Sequence, residues 1–291
     1  MTTTLRPEGP ERSTADGGRS RSYGIRVNGR RVGGLTLLAG EEDGERVGHV
    51  ERLAVVPQER RRGRATIALL AAEEVLRGWG CRTVAARVPA QAPGALALVA
   101  ALGYAERSRV MRKRLTAPPP PLPEGSTARA MGEGEFGAWL AEEREARRAA
   151  LLAAGFGEEA AGRRVRDLVR HGLPDGPATA GAALRVLCHR GAPVGTLWIS
   201  LCVPTRVPAS GVPAGPSRPE AEAWIRSVRV RRRHRRRGHG RSLLLTAEAE
   251  CLAAGGSLLG LEVCAGNVTA RRLCESLGYA AAEHRCYKSL A

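Results

Sequence analysis

The sequence predicts an α/β fold: two copies of one unit, each a mixed central sheet flanked by helices, the first copy abbreviated. Three observations carry this. The chain repeats itself at a shift of 175 positions, from Arg60 to Arg235. Each copy then alternates strand, basic glycine loop, helix, strand, helix and strand, a pattern that builds a mixed sheet. Hydrophobic residues are 43% of 291 and aromatics only 3%, so there is material for cores, and it is mostly Leu, Val and Ala.

The repeat is gapless. Arg60-Arg61-Arg62-Gly63 falls on Arg235-Arg236-Arg237-Gly238, and Leu102-Gly103-Tyr104-Ala105 on Leu277-Gly278-Tyr279-Ala280. Lys113 and Leu115 fall on Lys288 and Leu290. Agreement at both ends of such a window points to duplication of a structural unit.

In the second copy, Ala223 to Val230 reads as the first strand. Arg241 to Ala254 reads as a helix, because Leu243, Leu244, Ala247 and Cys251 share one face. Gly255-Gly256 ends it. Leu258 to Val263 is a short apolar strand. Asn267 is placed to cap a helix from Val268 to Ser276, which Gly278 closes. A last strand runs from Cys286 to Leu290. Ahead of this unit, Thr127 to Met131 reads as a strand, Glu133 to Ala154 and Glu158 to His171 as two helices, and Leu184 to Cys188 with Val194 to Val203 as a hairpin. The first copy has only the strand-like Gly24 to Val27 and Val32 to Leu38 before its loop.

Composition shifts divide the chain. Residues 1–22 are polar, Gly-rich and charged, and are expected to be a disordered tail. Residues 23–116 form the abbreviated copy. Residues 117–125 hold the run PPPPLP, expected to be a stiff spacer. Residues 126–291 form the complete copy, interrupted by a Pro-rich stretch at 204–219 that reads as a long loop.

The charge balance is +17, from 46 Lys+Arg against 29 Asp+Glu. Lys113 and Lys288 are the only lysines; the rest is arginine, whose planar fork suits phosphate. The scarcity of aromatics argues against a single-strand nucleic-acid binder, which needs stacking platforms. The 7 cysteines are odd in number and scattered, without a C-x-x-C pair, so no disulfide framework is expected. The first residues lack an apolar core and no apolar run is long enough to span a bilayer, so the chain reads as cytoplasmic. His234 and His239 have a ligand-like spacing, but the arginines around them argue against a metal. His49, His171, His189 and His284 stand alone.

The sharpest motif is Arg235-Arg236-Arg237-Gly238-His239-Gly240, between a strand and a helix. A glycine-bearing turn there lets backbone N–H groups converge on an anion, and the helix N-terminus adds its dipole. It is neither G-x-G-x-x-G nor a Walker loop. Alone it reads first as a solvated basic turn.

The motif R-x-x-G-x-G, followed by Leu261-Glu262-Val263, Asn267, Ala270, Leu273, Glu275-Ser276-Leu277 and Gly278-Tyr279, resembles the Gcn5-related N-acetyltransferase superfamily. Leu173-Pro174-Asp175-Gly176 and Val194-Gly195-Thr196-Leu197-Trp198 resemble its actinobacterial members. The resemblance covers about 126–290 well and 23–116 more weakly, which makes the chain similar to tandem-domain members. It implies acetyl-CoA as cosubstrate and an amine as acceptor. The backbone of the loop, at Arg235, Arg236, Arg237, Gly238, His239, Gly240 and Arg241, would hold the diphosphate. Val228 and Val230 would pair with the pantetheine arm, and Asn267 would lie beside it while also serving as a helix cap.

The same resemblance implies Glu262 as the base that takes the ammonium proton; a carboxylate paired with nearby arginines is the other reading of that residue. Many relatives carry a tyrosine acid where this chain has Cys274, which reads as a core residue before it reads as an acid. The strand before the loop, often acidic in relatives, carries Arg226, Arg229 and Arg231 to Arg233, a field that lowers the pKa of a nearby amine and repels polycations. The first copy has Ala65, Ala92 and Val99 where the second has Gly240, Asn267 and Cys274, and reads as a degenerate, structural copy. Three functions are thus in competition: an N-acetyltransferase acting on a small amine or a protein N-terminus, a silent acyl-CoA-binding protein, and an Arg-rich nucleic-acid binder. Neither the acceptor nor the oligomeric state is legible.

Overall fold

The computed structural model describes residues 2–13, 17–42, 44–201 and 222–290. The stretch at 204–219, expected to be a loop, lies outside the described residues. The chain forms two compact units: the first holds the described residues up to Ser108 together with those from Glu283 on, and the second holds Arg109 to Ala282.

The first unit contains β1 (Thr3–Ser13), β2 (Arg19–Val27), β3 (Arg30–Glu42), β4 (Glu45–Val55), α1 (Arg64–Gly78), β5 (Thr83–Pro89) and α2 (Pro93–Ala101). Most of β12 (Ala280–Ser289) joins it, giving the strand order β1-β2-β3-β4-β5-β12. The β4–β5 pair is parallel and the other neighbours run antiparallel. The core is the face where Ile25, Val32, Leu37, Leu69, Leu76 and Val84 meet.

The second unit contains β7 (Ser126–Ala130), α3 (Glu133–Ala153), α4 (Glu158–Gly172), β8 (Ala182–His189), β9 (Ala192–Ser200), β10 (Glu222–Val230), α5 (His239–Ala253), β11 (Leu258–Cys264) and α6 (Val268–Ser276). With the end of β6 (Ala105–Arg114), its strand order is β6-β11-β10-β9-β8-β7. Leu187, Leu197, Ile199, Leu243, Ala247 and Leu259 form its core. A second cluster, with Trp139 edge-on to the fully buried Trp198 (centroids 6.0 Å apart), seats α3 against β8 and β9. Helix α5 packs on β8, β9, β10 and β11.

Two sequence expectations need correction. Within residues 1–22, the described residues 2–13 and 17–22 do not form a disordered tail. Strand β1 pairs with β2 from Thr3↔Val27 to Ser13↔Arg19, and Glu8 forms an ion pair with Arg31 at 2.8 Å. Strand β1 is mostly exposed, so ladder hydrogen bonds hold it rather than burial, and no apolar alternation marks it.

The last strand of each copy is also not at home in its own unit. The second half of β6 lies in the second unit, where Leu115 N–H donates to Ser257 C=O at 2.8 Å. Strand β12 lies beside β5 in the first unit, from Glu283↔Pro89 to Ser289↔Thr83. Lys113 reaches the buried Glu248 at 2.7 Å, and Lys288 reaches the buried Glu73 at 2.6 Å. Each lysine also lies 5.7 Å from a ring, that of Tyr279 and Tyr104 respectively. Glu73 and Tyr104 fall on Glu248 and Tyr279 under the repeat. Because the two copies offer the same acceptor, either strand fits either sheet, and the sequence alone could not tell which was used.

Candidate functional site

Strands β10 and β11 run side by side only from Glu222↔Leu258 to Ile225↔Leu261. A bulge in β10 between Ile225 and Ser227 then turns the strand, and its pairing with β9 continues to Val230↔Gly195. Past the bulge the two parallel strands part. Val228 and Val230 lie on one side of the gap, and Glu262 and Cys264 continue the other strand. The first unit repeats the device, with β4 and β5 paired only from Val47↔Thr83 to Val50↔Ala86.

The basic loop closes the end of β10. A 3-10 turn at Arg232–His234 leads to Arg236 at φ +60° and Gly238 at φ +83°, and α5 begins at His239. Glycine is needed at 238 for its left-handed backbone, and nothing lies within 4 Å of where a Cβ would stand. Gly240 is different. A Cβ there would meet Leu273 Cδ2 of α6 at 3.0 Å, so this glycine allows close packing. Among the described residues, the N–H groups of Arg236, Arg237, Gly238, His239 and Gly240 have no backbone partner, whereas Arg241 and Ser242 both donate to Gly238 C=O. Five free amides on an αL turn at the N-terminus of a 15-residue helix are an anion cradle.

Helix α3 supplies residues that the sequence reading missed. Glu143, 3% exposed, accepts from Ser227 Oγ of β10 at 2.7 Å and from Arg147 at 3.2 Å. Arg147 also donates to Arg226 C=O. Arg229 is 3.2 Å from Glu142 and 3.9 Å from Glu143. Of the two arginines of β10, Arg229 therefore faces carboxylates from α3, and Arg226 donates to Ser200 Oγ at 2.9 Å. Burial, and then the charge of Arg147, pulls the pKa of Arg226 down. In the sequence these residues sit in the run AEEREARRAA, and only the spacing of Glu143 and Arg147 hinted at a shared face.

Glu262 is exposed on β11 in the parted stretch. Beside it, burial and the charge of Glu262 push the Cys264 thiol up, and Arg147 acts in the other direction. Asn267 caps α6, its Oδ1 accepting from Ala270 N–H at 3.1 Å. Cys274 needs correction as a candidate acid: it is 2% exposed in the core of the second unit, and burial pushes its thiol up to about 11. This short side chain ends in the core. His239 is also buried, and its ring turns toward His189 and away from the cradle.

These elements define an acyltransferase fold with an open basic glycine turn at the start of α5. The sequence pattern of the acetyltransferase (GNAT) family matches the chain twice, over residues 2–104 and 157–279, and the chain belongs to that family. Among solved structures, a GCN5-related N-acetyltransferase from Sphaerobacter thermophilus is similar at 22% identity and TM-score 0.55, over 92% of this chain and 80% of that one. A glucosamine N-acetyltransferase region of a fungal multi-domain β-N-acetylglucosaminidase is similar at 16% identity and TM-score 0.51, over 92% of this chain and 33% of that one. A tandem GNAT protein from the clavulanic acid biosynthesis pathway shares 22% identity at TM-score 0.47, over 96% and 85%. Among curated proteins, none matches. The two pattern matches fall on the two copies of the repeat. Among the described residues, no helix is long and apolar enough to cross a membrane.

Proposed function

We propose that the chain is an acetyl-CoA-dependent N-acetyltransferase whose chemistry takes place in the second unit, on a primary amine. The observation that carries this is the set of unpartnered amides from Arg236 to Gly240 around an open αL glycine. They suit two linked phosphoryl groups, with Arg235, Arg236, Arg237 and Arg241 adding charge. The free edge of β10 at Val228 and Val230 would take the pantetheine as an added strand, ending beside Glu262.

In this reading the neutral amine attacks the thioester carbonyl, the N–C bond forms, and the C–S bond breaks. Glu262 takes the ammonium proton, directly or through water. Glu142 and Glu143 offset the charges of Arg229 and Arg147, while the Arg226 guanidinium bonds Ser200. No specific acid is assigned. Glu143 is a positioning residue: it fixes Ser227 and Arg147 through hydrogen bonds.

A silent acyl-CoA-binding protein is the second reading, favoured by the burial of Cys274. Thiol release from acetyl-CoA over a panel of amines decides between the two. Turnover that falls about 100-fold in Glu262→Gln, with acetyl-CoA affinity kept, supports the enzyme. Binding without turnover of any amine supports the silent protein.

A further inference from the structure

On the side of the loop turned toward the β8–β9 hairpin lies a cleft of about 310 Å³, contained within the second unit. Its chemistry comes from His189, Arg190, His234, Arg237, His239 and Ser126. The rings of His189 and His239 are 5.2 Å apart, and those of His234 and His239 are 6.3 Å apart. None of its lining residues is acidic. Three imidazoles and two guanidiniums thus share one hollow with no counter-charge in its wall.

The first unit shows what this position is built for. Under the repeat, His234, Arg237 and His239 fall on Glu59, Arg62 and Arg64. Glu59 is 6% exposed and clasped by arginines: Arg30 at 2.7 Å, Arg64 at 3.3 Å and Arg62 at 3.9 Å. Arg30 comes from the β2–β3 hairpin, the counterpart of the one that carries His189 and Arg190. The fold therefore seats a carboxylate behind the first loop. The second unit keeps a basic surround and has lost the built-in anion.

We propose that this cleft binds an external phosphate monoester, which takes the place that the Glu59 carboxylate fills in the first unit. A transition metal fits less well. Arg233 Nε donates to His234 Nε2 at 3.0 Å, Ser126 Oγ lies 2.9 Å from His189 Nδ1, and two guanidiniums repel a cation. Among the described residues, no three His, Cys, Asp or Glu side chains are grouped to hold a metal ion. Burial first, then Arg233, Arg237, Arg231 and His189, depresses the pKa of His234; burial, then His189, His234 and Arg237, depresses that of His239. A bound dianion reverses these effects, so its binding takes up protons and tightens as pH falls. The cleft stands on its own geometry, and only the identification of its ligand as the cosubstrate's monoester rests on the acetyl-CoA assignment.

The test is a titration of the full chain with inorganic phosphate, read by the histidine Cε1–H resonances at about pH 6 and about pH 8. Saturable shifts of His189, His234 and His239 are expected, and the affinity for the dianionic form, corrected for phosphate's own protonation across this range, should be about tenfold tighter at the lower pH. Arg190→Asn preserves the left-handed turn at φ +50° and should weaken binding about fivefold, as should His189→Gln. No histidine shift, a dianion affinity that ignores pH, or an unchanged response in both variants would overturn the site. Coenzyme A and its 3′-dephospho form then identify the source. Shifts produced only by the 3′-phosphate form mark the cosubstrate's own monoester. Shifts produced by phosphate on the CoA-saturated protein mark a separate ligand.

Discussion

Behind the first basic loop stands Glu59, buried and held by Arg30, Arg62 and Arg64; behind the second stands His234, in an open cleft with His189 and His239. The two backbones are alike. Arg61 and Arg236 both have φ +60°, and Gly63 and Gly238 have φ +72° and +83°. The first loop has a buried carboxylate of its own, while the cleft behind the second is lined by none. The front faces differ in the same sense. Unit two has α3 and α4 between β7 and β8, which bring Glu143 and Arg147 to β10; unit one passes from β1 to β2 in five residues, from Ser13 to Arg19. Duplication preserved the frame, and function separated in the side chains set upon it.

The strongest way to break this comparison is at the exchanged strands. Lys113→Met should leave Glu248 buried and unpaired, and Lys288→Met should do the same to Glu73, each costing about 3–5 kcal/mol. Urea unfolding checks it. Equal losses support equivalent seats, and a loss in only one would show that the symmetry is superficial.

A smaller effect is expected behind the loops. Glu59→Gln leaves the buried Arg64 with a neutral partner and should destabilise the protein by about 1–3 kcal/mol. His234→Gln removes a part-exposed ring from an open cleft and should leave stability nearly unchanged. Thermal denaturation of both variants would sharpen or erase the contrast.

The weakest of these effects is in pH. His234 and His239 have pKa values below the ordinary 6.5 in the folded chain, so the unfolded chain binds more protons as pH falls through that value. Stability should therefore decline below about pH 6.5 and level off above it, and added phosphate should flatten the decline. Melting curves across that range, with and without phosphate, measure it.

Much of this was legible in the sequence because periodic apolar residues specify helices and short strands directly. Leu243, Leu244, Ala247 and Cys251 placed α5, and the glycine loop placed the cradle. Strand β1 was not legible, since TTLRPEGPERS has no alternation and is held by its ladder. The strand exchange was not legible because equivalent acceptors cannot be ranked from sequence. Glu143 was hidden among surface-like charges, and His189 lay 45 positions before His234 with no local sign of their meeting. Cys274 stood at a catalytic position in name, but its size leaves it in the core.

The central claim is that the free amides around Gly238, and not those around Gly63, cradle the diphosphate of acetyl-CoA. Calorimetry of the full chain with acetyl-CoA should give one site per chain. That site should be lost in Gly238→Asp and kept in Gly63→Asp. It should also survive in Gly238→Asn, which has the same shape without the charge. Undiminished affinity in Gly238→Asp would contradict the account.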